Sequence, residues 1–158
     1  LTCLSLFATA MVWQTQSAIK APNVSFTTIK GQTIQASDWQ GKPTILTFWA
    51  TDCPSCIEEI PHWIELHNRY ADQGLIIIAV AMSYDPPNRV LAMADSKRLP
   101  YAIALDPNAA LAHAFGDVQL TPTTFLIDRN GHIVWHKVGV FDPGTMQSKL
   151  HDLGFRPK

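Results

Sequence analysis

Residues 44–50 and 75–80 are two unbroken apolar stretches rich in β-branched side chains, and Phe48 and Trp49 lie near the end of the first. Such runs fit strands covered on both faces, as in a parallel sheet packed between helices. Between them the apolar period changes. Ile57, Ile60 and Ile64 recur at helical spacing, with Trp63 and Leu66 beside them. The segment from Pro54 to Gly74 is therefore predicted to be a helix, with Pro54 suited to its first turn and Gly74 to its end. Pro61 lies inside it and is expected to kink it, because proline removes a backbone donor and crowds the preceding turn.

The same reading extends in both directions. Short strands are predicted at 24–29 and 32–35, with Lys30-Gly31 as the hairpin turn between them. Turns follow at 37–39 and 41–43. Pro86-Pro87 opens a helix to about Arg98, with Val90, Leu91 and Ala94 facing inward. A strand at 101–105 and a short helix at 108–115 come next. The strands 123–127 and 132–138 flank Asp128-Arg129-Asn130-Gly131, a hairpin signal. A last helix starts at Asp142-Pro143, carries Met146, Leu150 and Leu153 on one face, and stops at Gly154. After the opening hairpin the order is β-α-β-α-β-α-β-β-α. It predicts an α/β fold with a mixed central sheet, parallel where helices cross over and antiparallel at the last hairpin, and helices on both faces.

Length and charge narrow the function without naming it. The chain has 158 residues, 47% of them hydrophobic and 16% charged, with a formal net charge of −1. That suffices for one domain with a core and gives no basis for a nucleic-acid partner. Residues 1–13 are apolar and uncharged, and Ala8-Thr9-Ala10 has the small-x-small form of a signal cleavage site. Residues 1–20 are thus expected to be an export signal or membrane anchor with a polar connector, and 21–158 the folded domain. Cys3 lies inside the apolar run and is read as incidental to it.

Cys53-Pro54-Ser55-Cys56 changes the picture most. Two thiols separated by two residues, at the end of a strand and the start of a helix, can close a small reversible disulfide. A helix N-terminus carries unpaired N–H groups and partial positive charge, which favour a thiolate. The thiolate is the attacking species in thiol–disulfide exchange.

Phe48-Trp49-Ala50-Thr51-Asp52-Cys53-Pro54-Ser55-Cys56 resembles the active-site stretch of the thioredoxin superfamily. Pro61, five residues after the second cysteine, falls where that family has its helix-kinking proline. Thr121-Pro122-Thr123-Thr124-Phe125-Leu126-Ile127-Asp128 resembles the segment that holds its cis-proline. Ala21-Pro22-Asn23-Val24-Ser25-Phe26, with Gly31 and Gly41-Lys42-Pro43, resembles the entry of the TlpA/ResA-like exported branch, and residues 84–97 resemble its helical insertion. The resemblance covers about residues 21–154 and implies a thioredoxin fold with an N-terminal hairpin and a helical insertion.

It also implies roles. Cys53 would be the nucleophile and Cys56 the resolving thiol, with no metal and no organic cofactor. Pro122, in the cis form, would sit opposite the disulfide, leaving the backbone of Thr121 free for an extended substrate. Trp49 would shape the site floor, and Pro54 and Ser55 would meet the substrate between the cysteines. Cytosolic thioredoxins have a buried Asp where this chain has Thr47; some exported reductases use a Glu where it has Glu59. On a helix Glu59 shares a face with Cys56, and a desolvated carboxylate there can take the thiol proton. Asp52 precedes Cys53 where the family usually has a bulky residue. Its charge disfavours the thiolate and leans the pair toward reduction.

The function expected is a periplasmic or otherwise extracytoplasmic thiol–disulfide oxidoreductase, monomeric, acting on cysteine-containing protein substrates and served by a membrane or periplasmic redox partner. Apocytochrome c thiols, other oxidoreductases and copper-protein thiols are all open as substrates. The alternative is a copper-binding or metal-delivery thioredoxin-like module, although such modules typically use a wider cysteine spacing. Thiol peroxidases of this fold need Thr or Ser three residues before the reactive cysteine and Pro four residues earlier; Ala50 and Leu46 stand there instead.

Overall fold

The computed structural model describes residues 19–157; the apolar opening with Cys3 lies outside them. In chain order the elements are β1 (Ile19–Lys20), β2 (Ser25–Thr27), β3 (Thr33–Gln35), β4 (Thr44–Trp49), α1 (Pro54–Tyr70), β5 (Ile76–Ala81), α2 (Pro87–Ser96), β6 (Ala102–Leu105), α3 (Ala110–Ala114), β7 (Thr123–Ile127), β8 (His132–Val138) and α4 (Pro143–Asp152). The main sheet has the order β1-β8-β7-β4-β5-β6, and β2 and β3 form a separate hairpin. β4, β5 and β6 are parallel, with α1 and α2 as crossovers. β7 runs antiparallel to both β4 and β8.

Alternation along the central strands divides the core. Ile45 and Trp49 of β4 join α1, α2 and α4 through Trp63, Leu66, Tyr70, Val90, Met146 and Leu150. Leu46 and Phe48 point the other way, to Phe26, Trp39, Leu111 and Phe115. Successive side chains of a strand face opposite sides, so β4 is buried at every position. Trp39 closes the second layer from a short 3-10 helix, Ala36–Trp39, and meets Phe26 edge-on at 5.5 Å. The hairpin covers the free edge of β6, where the Ile29 amide donates to the Ile103 carbonyl at 2.9 Å.

Two features depart from the sequence reading. Ile19–Lys20, assigned there to the connector, pairs with Ile133 and His132 of β8 and adds a strand to the sheet. Only two residues pair, too few to show an alternating pattern. Leu91, expected inward, is 47% exposed. Val90 and Ala94, four apart, set the face of α2 that meets the sheet, and Leu91 lies about 100° round the helix from Val90. α1 runs through Pro61 to Tyr70, and Gly74 (φ +93°) ends the 3-10 turn that follows in a left-handed conformation that glycine adopts without a Cβ penalty.

Leu46→Ala is expected to lower the unfolding free energy by about 2–5 kcal/mol, and Leu91→Ala by less than about 1 kcal/mol. Urea denaturation of the two variants checks the assignment, and comparable losses would contradict it.

Candidate functional site

The site is built where β4 ends and α1 begins. Cys53 is the N-cap residue of α1 with extended backbone, and its Sγ accepts the Cys56 amide at 3.2 Å. Pro54 occupies the first helical position, where no amide is needed. Cys53 and Cys56 are joined as a disulfide, their Cα atoms 5.3 Å apart. Cys53 is half-buried and Cys56 is 3% exposed, so Cys53 is the more accessible of the two. Ser55 Oγ lies 3.5 Å from Cys53 Sγ, and Asp52 and Pro54 are exposed.

Below the disulfide lies a buried carboxyl group. Glu59, 1% exposed, is one turn along α1 from Cys56, and its Oε1 accepts the Phe141 amide at 2.9 Å. Phe141 is held by Trp63, ring centroids 4.2 Å apart. Desolvation raises Glu59 from its ordinary 4.5 to about 7, against the opposing pull of the Phe141 amide and, more weakly, Trp63. Cys56, Glu59, Trp49, Thr47 and Tyr101 line one small cavity of about 10 Å³, roughly the space of one water. Trp49 contributes an unpaired buried Nε1, and Thr47 bonds across the sheet to Thr124 at 3.0 Å. A thiol proton released at Cys56 would thus face a carboxyl group able to hold it near neutral pH. Burial and the Glu59 charge together push the Tyr101 phenol up.

The remaining sequence-predicted residues, Thr121 and Pro122, immediately precede β7. The Thr121–Pro122 peptide bond is cis. Thr123 lies opposite Phe48 in the β4–β7 ladder, so Thr121 and Pro122 reach the same end of the sheet as Trp49 and the cysteines. The Gly139 amide donates to the Pro122 carbonyl at 2.8 Å. Pro122 is buried and Thr121 half-buried. Among the described residues no three His, Cys, Asp or Glu side chains gather as a ligand set.

Two participants were missed from sequence. The Phe141 amide is a backbone group and leaves no signal in the sequence. Asp85 is 5% exposed, and both its oxygens accept hydrogen bonds from Thr51, two residues before Cys53. Ahead of Pro86-Pro87 it resembles any residue that opens a helix.

The raised Glu59 fixes the sign of a pH dependence. Well below pH 4.5 both folded and unfolded chains hold its proton, and its ionisation contributes nothing to stability. As pH rises toward about 7 the unfolded chain ionises first, so stability falls, by about 3 kcal/mol in total, and is flat above. Glu59→Gln keeps an acceptor for Phe141 and removes the titration. Relative to wild type it should gain about 3 kcal/mol between pH 4.5 and pH 8 in urea melts of the oxidised protein. Parallel profiles would show that another group titrates.

The chain matches the Redoxin family over residues 16–153. It is 35% identical over 115 residues to the thiol-disulfide oxidoreductase ResA of Halalkalibacterium halodurans, covering 73% of this chain and 64% of that protein. The chain therefore spans just under two thirds of that relative's length. It is 33% identical over 137 residues to the thioredoxin-like protein YneN of Bacillus subtilis, covering 85% of this chain and 79% of that one. The solution structure of a thioredoxin candidate from Neisseria meningitidis superposes with a TM-score of 0.80 at 33% identity, over 85% of this chain and 90% of the other. A family match that takes in both cysteines, Glu59 and Pro122, together with this superposition, makes the chain a member of the Redoxin family with a thioredoxin fold.

Proposed function

We propose that this protein is a thiol–disulfide oxidoreductase that reduces cysteine-containing protein substrates through Cys53 and Cys56. The observation that carries the reading is the disulfide at the N-cap of α1, with Cys53 the more accessible of its two cysteines and Cys56 buried above Glu59. In the reduced protein the Cys53 thiolate, favoured by the helix N-terminus, attacks a substrate disulfide. One substrate sulfur leaves as a thiol and the other stays bonded to Cys53. Cys56 then gives up its proton and attacks Cys53. The second substrate sulfur departs, and the Cys53–Cys56 disulfide remains. Electrons flow from the pair to the substrate, and a separate reductant must restore the dithiol. No metal or organic cofactor enters these steps.

Glu59 is the group we assign to the Cys56 proton. It is buried beside Cys56 with a pKa raised to about 7. Thr121 and Pro122, together with Pro54 and Ser55, form the face that an extended substrate meets. Trp49 belongs to the floor. The relatives named thiol-disulfide oxidoreductase support the reaction class. The apolar opening, residues 1–13, supports an extracytoplasmic location with the segment as leader or tether. Among the described residues no helix is long and apolar enough to cross a membrane.

With dithiothreitol as reductant, the protein is expected to accelerate insulin reduction, and Cys53→Ser to abolish the effect. Cys56→Ser should stall at a mixed disulfide that dithiothreitol releases. No exchange in either redox direction would sink the reading. Glu59→Gln should slow release from the mixed disulfide by about 10²-fold and leave the first attack by Cys53 unchanged. Equal slowing of both steps in single-turnover kinetics would remove Glu59 from this role.

A further inference from the structure

We propose that Asp85 is a positioning residue for Cys53, acting through Thr51; the proposal rests on reading Cys53–Cys56 as a redox pair. Asp85 lies between β5 and α2, is 5% exposed, and has no part in the steps above. Both carboxyl oxygens are committed to one residue. Oδ2 accepts the Thr51 amide at 2.6 Å and Oδ1 accepts the Thr51 hydroxyl at 2.7 Å. Nor is Asp85 a cap for its own helix, since α2 begins at Pro87 with Pro86 as N-cap and no side-chain cap bond.

The clamp extends the sheet's own register into the loop that carries the nucleophile. The Met82 amide donates to the Trp49 carbonyl at 3.0 Å, and the Asp85 amide to the Met82 carbonyl at 2.9 Å. The end of β5 is thereby fixed to the end of β4, and Asp85 carries the attachment two residues further, to Thr51. From the other side, the Cys53 amide donates to the Ala50 carbonyl at 3.2 Å. Only Asp52, exposed to solvent, separates the clamped residue from Cys53.

A loop held this way brings Cys53 Sγ to Cys56 before the bond forms. Preorganisation of that kind raises the effective concentration of one thiol at the other. The dithiol state needs no such closure. Loosening the clamp therefore weakens the disulfide relative to the dithiol, quite apart from any effect on overall stability.

The test is the equilibrium with glutathione, in which the Cys53–Cys56 disulfide and two glutathione thiols yield the dithiol and one glutathione disulfide. Asp85→Ala is expected to move the constant toward the dithiol by about tenfold, equivalent to ~30 mV for a two-electron couple. Thr51→Val keeps the Asp85 charge and the Thr51 amide but deletes the hydroxyl. It should move the constant the same way, by about threefold on the scale of one lost hydrogen bond. A wild-type constant in Thr51→Val would overturn the proposal. This holds even where Asp85→Ala shifts, because the proposal assigns part of the effect to each bond of the clamp, and the Thr51 hydroxyl would then carry none of it. It holds also where melting temperatures fall. Thr51→Val decides the matter if Asp85→Ala does not fold. The measurement needs no protein substrate, so a wild type that exchanges disulfides with protein substrates in neither direction would remove the oxidoreductase reading and leave this result standing.

Discussion

Cys53 caps α1 with its own sulfur, accepting the Cys56 amide at 3.2 Å, and the chain reaches that cap from the end of β4 by a three-residue turn, 50–52. Ordinary N-caps use an oxygen to satisfy one of the orphan amides of the first turn. Here a sulfur does so, and the local structure and the chemistry therefore share one atom. The sulfur is at the surface because β4 ends there. A helix begins there, and helix N-termini in general favour a thiolate. The sulfur is beside Cys56 because the first turn of that helix carries Cys56.

Such a junction works only if strand and helix hold still, and the core supplies that from both sides of the sheet. β4 is buried along its whole length between β5 and β7. Trp63, Leu66 and Tyr70 fasten α1 to one face, while Phe26, Phe48 and Phe115 fill the other. The same burial creates the site's electrostatics. Glu59 lies on the inward face of α1, where an apolar residue would be expected. Its carboxyl group therefore loses its solvent and is raised to about 7. Phe141, on the loop between β8 and α4, meets it with its amide and packs its ring on Trp63, so the setting of this carboxyl group is made by two elements far apart in sequence.

Thr47 and Thr124 show how the fold tolerates polar groups in the same place. Each is buried, and register pairing across β4 and β7 lets the two hydroxyls satisfy one another at 3.0 Å. Asp85 follows the same logic at the rim, with two oxygens and two donors on one partner. Thr47, Thr124, Glu59 and Asp85 are each paired by a group distant in sequence, and they lie around the end of the sheet that presents the cysteines.

The element order, the mixed sheet and the placing of Cys53 at a strand–helix junction were all legible in the sequence. They depend on local periodicity, on Pro54 and on Asp128-Arg129-Asn130-Gly131, and local signals survive in a linear chain. Glu59 could be placed on the face of Cys56 by helical spacing alone. Whether that face was wet or dry could not be known, because burial is a property of what packs against it. The strand β1, the outward turn of Leu91, the Phe141 amide on Glu59 and the two bonds from Asp85 to Thr51 were decided only by tertiary structure. Each is a contact between residues distant in sequence or a helix rotation set by a neighbour, and neither leaves a periodic trace along the chain.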